Sequence, residues 1–212
     1  MKTYKELISL IPAYCINLNR RSDRWEKAKE QFYNIDYPVT RWEATYFDKS
    51  PNNLSAGQAG CLESHRQVWK DIIKTKTEIA AVFEDDIVFS RDFHEVFQLA
   101  FNELPGDWDI FHLHSFRAET QSITERVVKL LRWGWGAHGY LIKADTCKTL
   151  LSLDSNIPAD TYLMDEMYRL NKNVYGLSLP YTLAFQRGAD SDIQKTSQQD
   201  FWREQLELYM RR

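Results

Sequence analysis

Three consecutive carboxylates, Glu84, Asp85 and Asp86, follow the apolar run Ile79-Ala80-Ala81-Val82-Phe83. Adjacent carboxylates repel one another, so a strand end that gathers them needs compensating positive charge. A divalent cation supplies it, and hard oxygen ligands suit Mn2+ or Mg2+. In extended backbone Glu84 and Asp86 share a face while Asp85 points the other way. A cation held there would neutralise a diphosphate and stabilise it as a leaving group. A solvated acidic loop, or a helix capped by Asp86, accounts for the triplet as well. Phosphotransferases that work through aspartate also carry acids after a strand, so the cluster alone does not choose between chemistries.

Several other side chains are candidates, each with a bland alternative. His138 stands in Trp133-Gly134-Trp135-Gly136-Ala137-His138-Gly139-Tyr140, where three glycines let backbone approach a ligand closely; it is a metal ligand or a hydrogen-bonded loop histidine. His112 and His114 alternate in a predicted strand and read as structural, and His65 reads as a satisfied core histidine. Arg20, Arg21 and Arg24 follow the first strand, where guanidinium forks fit phosphate or base recognition; a salt-bridged helix start explains them equally. Asp160, after Pro158, caps a helix or serves as a general base, with Asp165 the second candidate.

The elements that would position these residues alternate. Ala13 to Leu18 reads as a buried strand, and Trp25, Ala28 and Phe32 share a helix face over about Asp23 to Phe32. A short strand is expected at Pro38–Trp42, a loop at Asn52–Gly57 and an amphipathic helix at Gln58–Ile73. Ile79 to Phe83 has the continuous apolar character of a strand buried on both faces. A helix at Asp92–Leu104, strands at Trp108–Leu113 and Ala137–Ile142, helices at Ala144–Leu153 and Thr161–Leu170, and a strand at Val174–Leu177 complete the pattern. Alternation of this kind predicts an α/β fold, a Rossmann-like mixed sheet flanked by helices on both faces.

The 212 residues show no repeat and no Gly/Ser linker, which suits one domain over 1–212. A formal net charge of −3 argues against nucleic acid as a partner, since phosphate-backbone binding needs a basic face. Cys15, Cys61 and Cys147 form no Cys-x-x-Cys pair and read as reduced thiols. Leu7 to Ile11 is too short for a signal peptide or a membrane span, which implies a cytoplasmic protein. The stretch 194–212 reads as an amphipathic helix ending in Arg211 and Arg212, suited to packing on its own domain, a homodimer contact or peripheral membrane contact; Glu204 and Glu207 weaken the membrane reading.

Six segments in order carry a resemblance. They are Ile16 to Trp25, Gly57 to His65, Phe83-Glu84-Asp85-Asp86, Trp135 to Ile142, Pro158-Ala159-Asp160 and Ser191-Asp192-Ile193. Together they resemble glycosyltransferase family 25 over about residues 13 to 193. The resemblance implies a single-domain GT-A type fold, a UDP-sugar donor, a glycan or glycoconjugate acceptor and inversion at the anomeric carbon. It implies that Asn17, Leu18 and Arg24 line the nucleotide pocket, for which Arg20, Glu84 and Asp85 are further candidates. Asp86 would hold the metal, and Glu84 would lie nearer the ribose or the metal's waters. Glu63 departs from the leucine common before the Ser-His pair in relatives.

An inverting transfer needs a carboxylate to take the acceptor's proton, for which Asp160 and then Asp165 are the candidates. Trp135 would stack on a sugar face, with Gly136 in the wall of the acceptor site. The alternatives are a catalytically silent nucleotide-sugar-binding module and a Mg2+-dependent phosphotransferase; Asp85-Asp86-Ile87-Val88 lacks the hydroxyl residue the latter needs.

Overall fold

The computed structural model describes residues 1–132, 136–153 and 156–187. Its strands are β1 (Ala13–Asn17), β2 (Val39–Glu43), β3 (Ile79–Glu84), β4 (Ile87–Phe89), β5 (Ile110–His112), β6 (Glu119–Ser122), β7 (Val127–Arg132), β8 (Gly139–Lys143), β9 (Val174–Leu177) and β10 (Ala184–Gln186). The main helices are α1 (Tyr4–Leu10), α2 (Ser22–Asn34), α3 (Ala56–Lys74), α4 (Phe93–Glu103) and α5 (Ala144–Leu151). Eight strands form one sheet in the order β2-β1-β3-β8-β5-β9-β7-β6, and β10 pairs with β4 in a second, two-stranded sheet. β1 is parallel to β2 and β3, whereas β8 runs antiparallel to both β3 and β5. The sheet is therefore mixed, as expected.

Alternation along β3 divides the core. Ala81 and Phe83 face a layer containing Leu7, Ala28, Phe32, Phe93 and Phe97, so α1, α2 and α4 cover that side. Ala80 and Val82 face Leu62, Trp69, Ile72, Cys147 and Leu150, so α3 and α5 cover the other. Helices on both faces explain why β3 is apolar throughout rather than alternating.

Local chemistry moved several boundaries. The helix expected from Gln58 starts at Ala56, because the Ser55 side chain accepts from the Gln58 amide while Gln58 caps the Ser55 amide in return. The same reciprocal cap, Thr3 with Glu6, starts α1, which the short apolar run before Pro12 did not suggest. The helix expected at Thr161–Leu170 is a composite: Ala159–Thr161 is α-helical, Tyr162–Glu166 forms a π turn and Met167–Arg169 closes it. All four residues of β6 are exposed, so no apolar alternation announced it. The region 194–212, expected to be an amphipathic helix, lies outside the described residues. No helix among the described residues is long and apolar enough to cross a membrane.

Phe97 anchors the layer under α4. Its ring lies 5.4 Å from Phe93, 6.1 Å from Tyr4 and 6.3 Å from Tyr37, fully buried and away from the acidic turn. Phe97→Ala is expected to lower unfolding free energy in urea titration by about 3–5 kcal/mol. A loss under about 1 kcal/mol would show that this layer collapses around the cavity.

Candidate active site

The strand order β2-β1-β3 means that the chain leaves β1 to one side through α2 and returns to its other side through α3. Such a reversal opens a crevice at the carboxyl ends of the two central strands, where α/β sheets bind ligands. Register pairs Ile16 with Glu84, so the end of β1 meets the end of β3. Asn17 is 1% exposed there. Its Nδ2 donates to Asp85 Oδ2 at 2.5 Å and to the Arg21 carbonyl at 3.1 Å. Its Oδ1 accepts from Arg41 Nε and Nη2 at 3.0 and 2.6 Å. Arg24, in the first turn of α2, sets Nη2 at 2.6 Å from Asp85 Oδ1 and 3.2 Å from Asp86 Oδ2. Leu18 is half-buried, with its carbonyl accepting from the Arg21 amide at 2.9 Å. Arg20 lies exposed over the Tyr46 ring at 4.1 Å.

β3 ends at Glu84, and Asp85-Asp86 form the turn into β4. The extended alternation expected through the triplet therefore stops at Glu84. Asp85 and Asp86 share Arg24, and Glu84 turns instead toward α3, because a tight turn breaks the two-residue period. The turn is braced from behind: the Asp86 carbonyl accepts from the Arg187 amide at 2.6 Å, and β4 pairs with β10.

Charge is unevenly distributed over the three acids. Burial, then the Glu84 charge, pushes the Asp86 carboxyl up to about 7 against the opposing pull of Arg24. Burial also raises Asp85, opposed by Arg24 and by the Asn17 hydrogen bond. Burial acts on Glu84 in the same sense, but the His65 hydrogen bond, with further help from the Arg24 charge, holds it below the ordinary carboxylate range. Asp86 Oδ1 is buried and finds no hydrogen-bond partner among the described residues. A buried, unpaired carboxylate oxygen beside two further acids is the donor set that a hard divalent cation requires. Asp86 is the residue that could hold such an ion; Asp85 is engaged by Asn17 and Arg24, and Glu84 turns toward Cys61 and His65 on α3.

On the other side of Glu84, His65 Nε2 lies at 3.4 Å and Cys61 Sγ at 3.6 Å from Oε1. His65 was expected to be a core histidine; it is fully buried and also touches the acid. Sequence reasoning missed Arg41, Cys61, Trp69 and Tyr140 as parts of this site. The four-residue spacing of Cys61 and His65 on one helix was the available signal. Arg41 had none, because its contact with Asn17 exists only once β2 pairs with β1.

His138, a metal candidate, lies beneath the turn. Its Nε2 pairs with the Ala184 carbonyl at 3.1 Å, and its ring stacks on His114 with centroids 4.2 Å apart. His112 follows at 5.3 Å from His114. Burial pushes His138 down to about 4 and His112 to about 3, and lowers His114 as well, so all three rings are neutral near pH 7. The Gly136 backbone favours the charged form of His114 yet falls outside hydrogen-bond geometry. His138 Nδ1 remains unpaired among the described residues. Gly136 has φ of +93°, and a Cβ there would collide with the His138 ring, so this position needs glycine on both counts. Trp135, the expected sugar platform, lies outside the described residues.

Asp160 Oδ1 accepts from the adjacent Thr161 amide at 2.8 Å, but Asp160 lies inside the short helix, whose N-cap is Pro158 with no side-chain cap hydrogen bond, so the expected capping role is not seen. The Asp160 charge also raises the Cys61 thiol and the Asp165 carboxyl. Asp165 is exposed on the π turn; burial of the carboxyl is the first cause of its upward shift, followed by Asp160 and Glu166. π turns recur at functional sites.

A mixed sheet with helices on both faces and an acid-terminated strand at its switch point is the GT-A type of glycosyltransferase architecture. A glycosyltransferase involved in the glycosylation of the major capsid of PBCV-1 shares the fold with a TM-score of 0.54 at 10% identity, covering 94% of this chain and 98% of that one. The apo-form glycosyltransferase GlyE of Streptococcus pneumoniae TIGR4 follows at 0.51 and 10% identity, over 92% of this chain and 60% of that one. The family model described as Glycosyltransferase family 25 (LPS biosynthesis protein) matches residues 10–168, and the chain belongs to that family. Procollagen galactosyltransferase 1-A of Xenopus laevis is 27% identical over 188 residues, covering 74% of this chain and 31% of the relative. A glycosyltransferase 25 family member of Anopheles gambiae is 26% identical over 192 residues, covering 75% and 32%. The chain thus spans about a third of the length of these curated relatives.

The raised Asp86 pKa carries a sign that stability measurements can read. A carboxyl shifted from 3.8 to about 7 favours the folded state while protonated, and that advantage is lost as pH rises through about 7. In EDTA above that pH, Asp86→Asn is expected to be more stable than wild type by on the order of 2–4 kcal/mol, since one pKa unit is worth ~1.4 kcal/mol. The gap should shrink steadily as pH falls toward 4. A gap independent of pH would show that Asp86 does not carry the buried charge.

Proposed function

We propose that this chain is an inverting, metal-dependent glycosyltransferase that moves a hexose, galactose or glucose, from a UDP-sugar to a hydroxyl of a glycan or glycoconjugate acceptor. The observation that carries the reading is the buried, unpartnered Asp86 Oδ1 in an acidic turn at the sheet's switch point. Family membership supports the transfer chemistry. A bound Mn2+ or Mg2+ would supply charge neutralisation for the departing nucleoside diphosphate.

The protein's own groups divide the remaining work. Asp86 would hold the cation, and Glu84, turned toward α3, would lie nearer the ribose or the metal's waters. Asn17 and Arg41 hold the end of β1 against Asp85, which keeps the turn in one conformation. Arg24 pairs with Asp85 and Asp86 and would offer its guanidinium to a diphosphate bound over the turn. Leu18 and Arg20 would border the nucleoside at the exit of β1. On the acceptor side Asp160 is the proposed base, and its charge helps to raise the Asp165 carboxyl. Trp135 and Gly136 would border the acceptor sugar.

A donor screen tests this directly. Release of UDP from a UDP-hexose with acceptor should require Mn2+ or Mg2+, vanish in EDTA and return on adding metal. Asp86→Ala should abolish release, and Asp160→Asn should lower kcat by about 10²–10⁴-fold in a protein with unchanged circular dichroism. Full activity in chelator removes the metal from the reading, and a preference for GDP- or CMP-sugars removes the uridine. Tight donor binding with no transfer to any acceptor identifies a silent nucleotide-sugar module instead.

A further inference from the structure

Glu84 is reached from its own protein side by a chain of three polar side chains whose direction can be deduced. Trp69 Nε1 can only donate, and it lies 3.0 Å from Tyr140 Oη. The hydroxyl therefore accepts from Trp69 and has one proton to give. His65 Nδ1, at 2.8 Å, is positioned to take it. Nδ1 then carries a lone pair, the ring proton sits on Nε2, and Nε2 donates to Glu84 Oε1 at 3.4 Å. Trp69, Tyr140 and His65 are each 0% exposed, so water does not compete for the two bonds among them. Cys61 Sγ approaches the same Oε1 at 3.6 Å. Both protein contacts fall on Oε1, which leaves Oε2 as the oxygen to face a ligand.

The ligand atoms of Cys61, His65 and Glu84 all lie within 4.8 Å of one another, a spacing that a soft cation such as Zn2+ also accepts. Hydrogen-bond polarity argues against it. A metal on Nε2 would force the ring proton onto Nδ1. Tyr140 Oη would then receive two donors, and its own proton would be stranded in a buried place, a cost of about 1–3 kcal/mol.

We propose that Trp69, Tyr140 and His65 form a one-way hydrogen-bond relay that fixes which oxygen of Glu84 is turned toward the donor site, making all three positioning residues for sugar transfer. Their effect on turnover rests on the glycosyltransferase reading; the polarity of the relay does not.

Two measurements test it. Side-chain 15N NMR of the histidines should show His65 as the pure Nε2–H tautomer in wild type and as a mixture in Tyr140→Phe. In kinetics, His65→Gln, whose amide can accept from Tyr140 and donate to Glu84, should keep most of kcat. His65→Leu, which fills similar space without polarity, should lose about ten- to a hundredfold in kcat with the acceptor KM unchanged. An Nδ1–H tautomer, a doubly protonated or metal-bound ring, or equal kcat in the Gln and Leu variants overturns the relay. If His65→Leu fails to fold, the Tyr140→Phe kcat takes its place, with the same loss expected and wild-type kcat overturning the proposal. If wild type releases nucleotide from no donor, the functional reading fails separately, and the tautomer measurement still decides the hydrogen-bond polarity.

Discussion

Three carboxylates crowded at the end of a buried strand repel one another, and much of the surrounding structure answers that repulsion. Arg24 contributes a guanidinium from the first turn of α2, Asn17 contributes an amide from the end of β1, and His65 contributes a ring N–H from the middle of α3. Each comes from a different element, so the acidic turn is stable only when β1, β3, α2 and α3 are assembled. The compensation is partial by design of the geometry: Asp86 keeps one buried oxygen with no partner among the described residues. A site that cancelled its own charge completely would leave no reason for a cation to bind.

The sheet's topology makes this convergence possible. Reversal of chain direction around β1 places α2 on one face and α3 on the other, and both helices deliver side chains to the same strand ends. The apolar layers hold those helices rigidly, with aromatic rings packed edge-on and stacked around Phe83 on one side and Trp69 against Tyr162 on the other. A polar site held by such layers needs little rearrangement to act, which is what electrostatic preorganisation requires. Behind the turn lie three neutral histidines, His138 stacked on His114 and His112 edge-on to His114, rather than a cationic patch, so positive charge at the acids comes from arginine.

The family resemblance and the residues themselves separate cleanly in what they explain. Likeness to glycosyltransferase family 25 accounts for the order of the segments and the class of chemistry. It says nothing of why Asn17 is tied to Arg41, or why Glu84 turns to α3 rather than lying beside Asp86. Those follow from hydrogen-bond capacity and from the turn that interrupts β3.

By itself the sequence determined the alternation of strands and helices, because apolar spacing is a local property that periodicity exposes directly. It also located the acids at a strand end and the arginines after another, since both stand beside unmistakable apolar runs. Elements without such runs were invisible: β6 is polar throughout, β4 and β10 are three residues each, and α1 begins on a cap rather than a stripe. Only the tertiary structure decided which residues meet. Cys61 and His65 become partners of Glu84, and Tyr140 and Trp69 join them through His65, by pairing of β3 with β8 and packing of α3, contacts that span up to 75 positions along the chain. Periodicity reports on a residue's own element; a hydrogen bond across the core depends on register, and register is a property of the whole sheet.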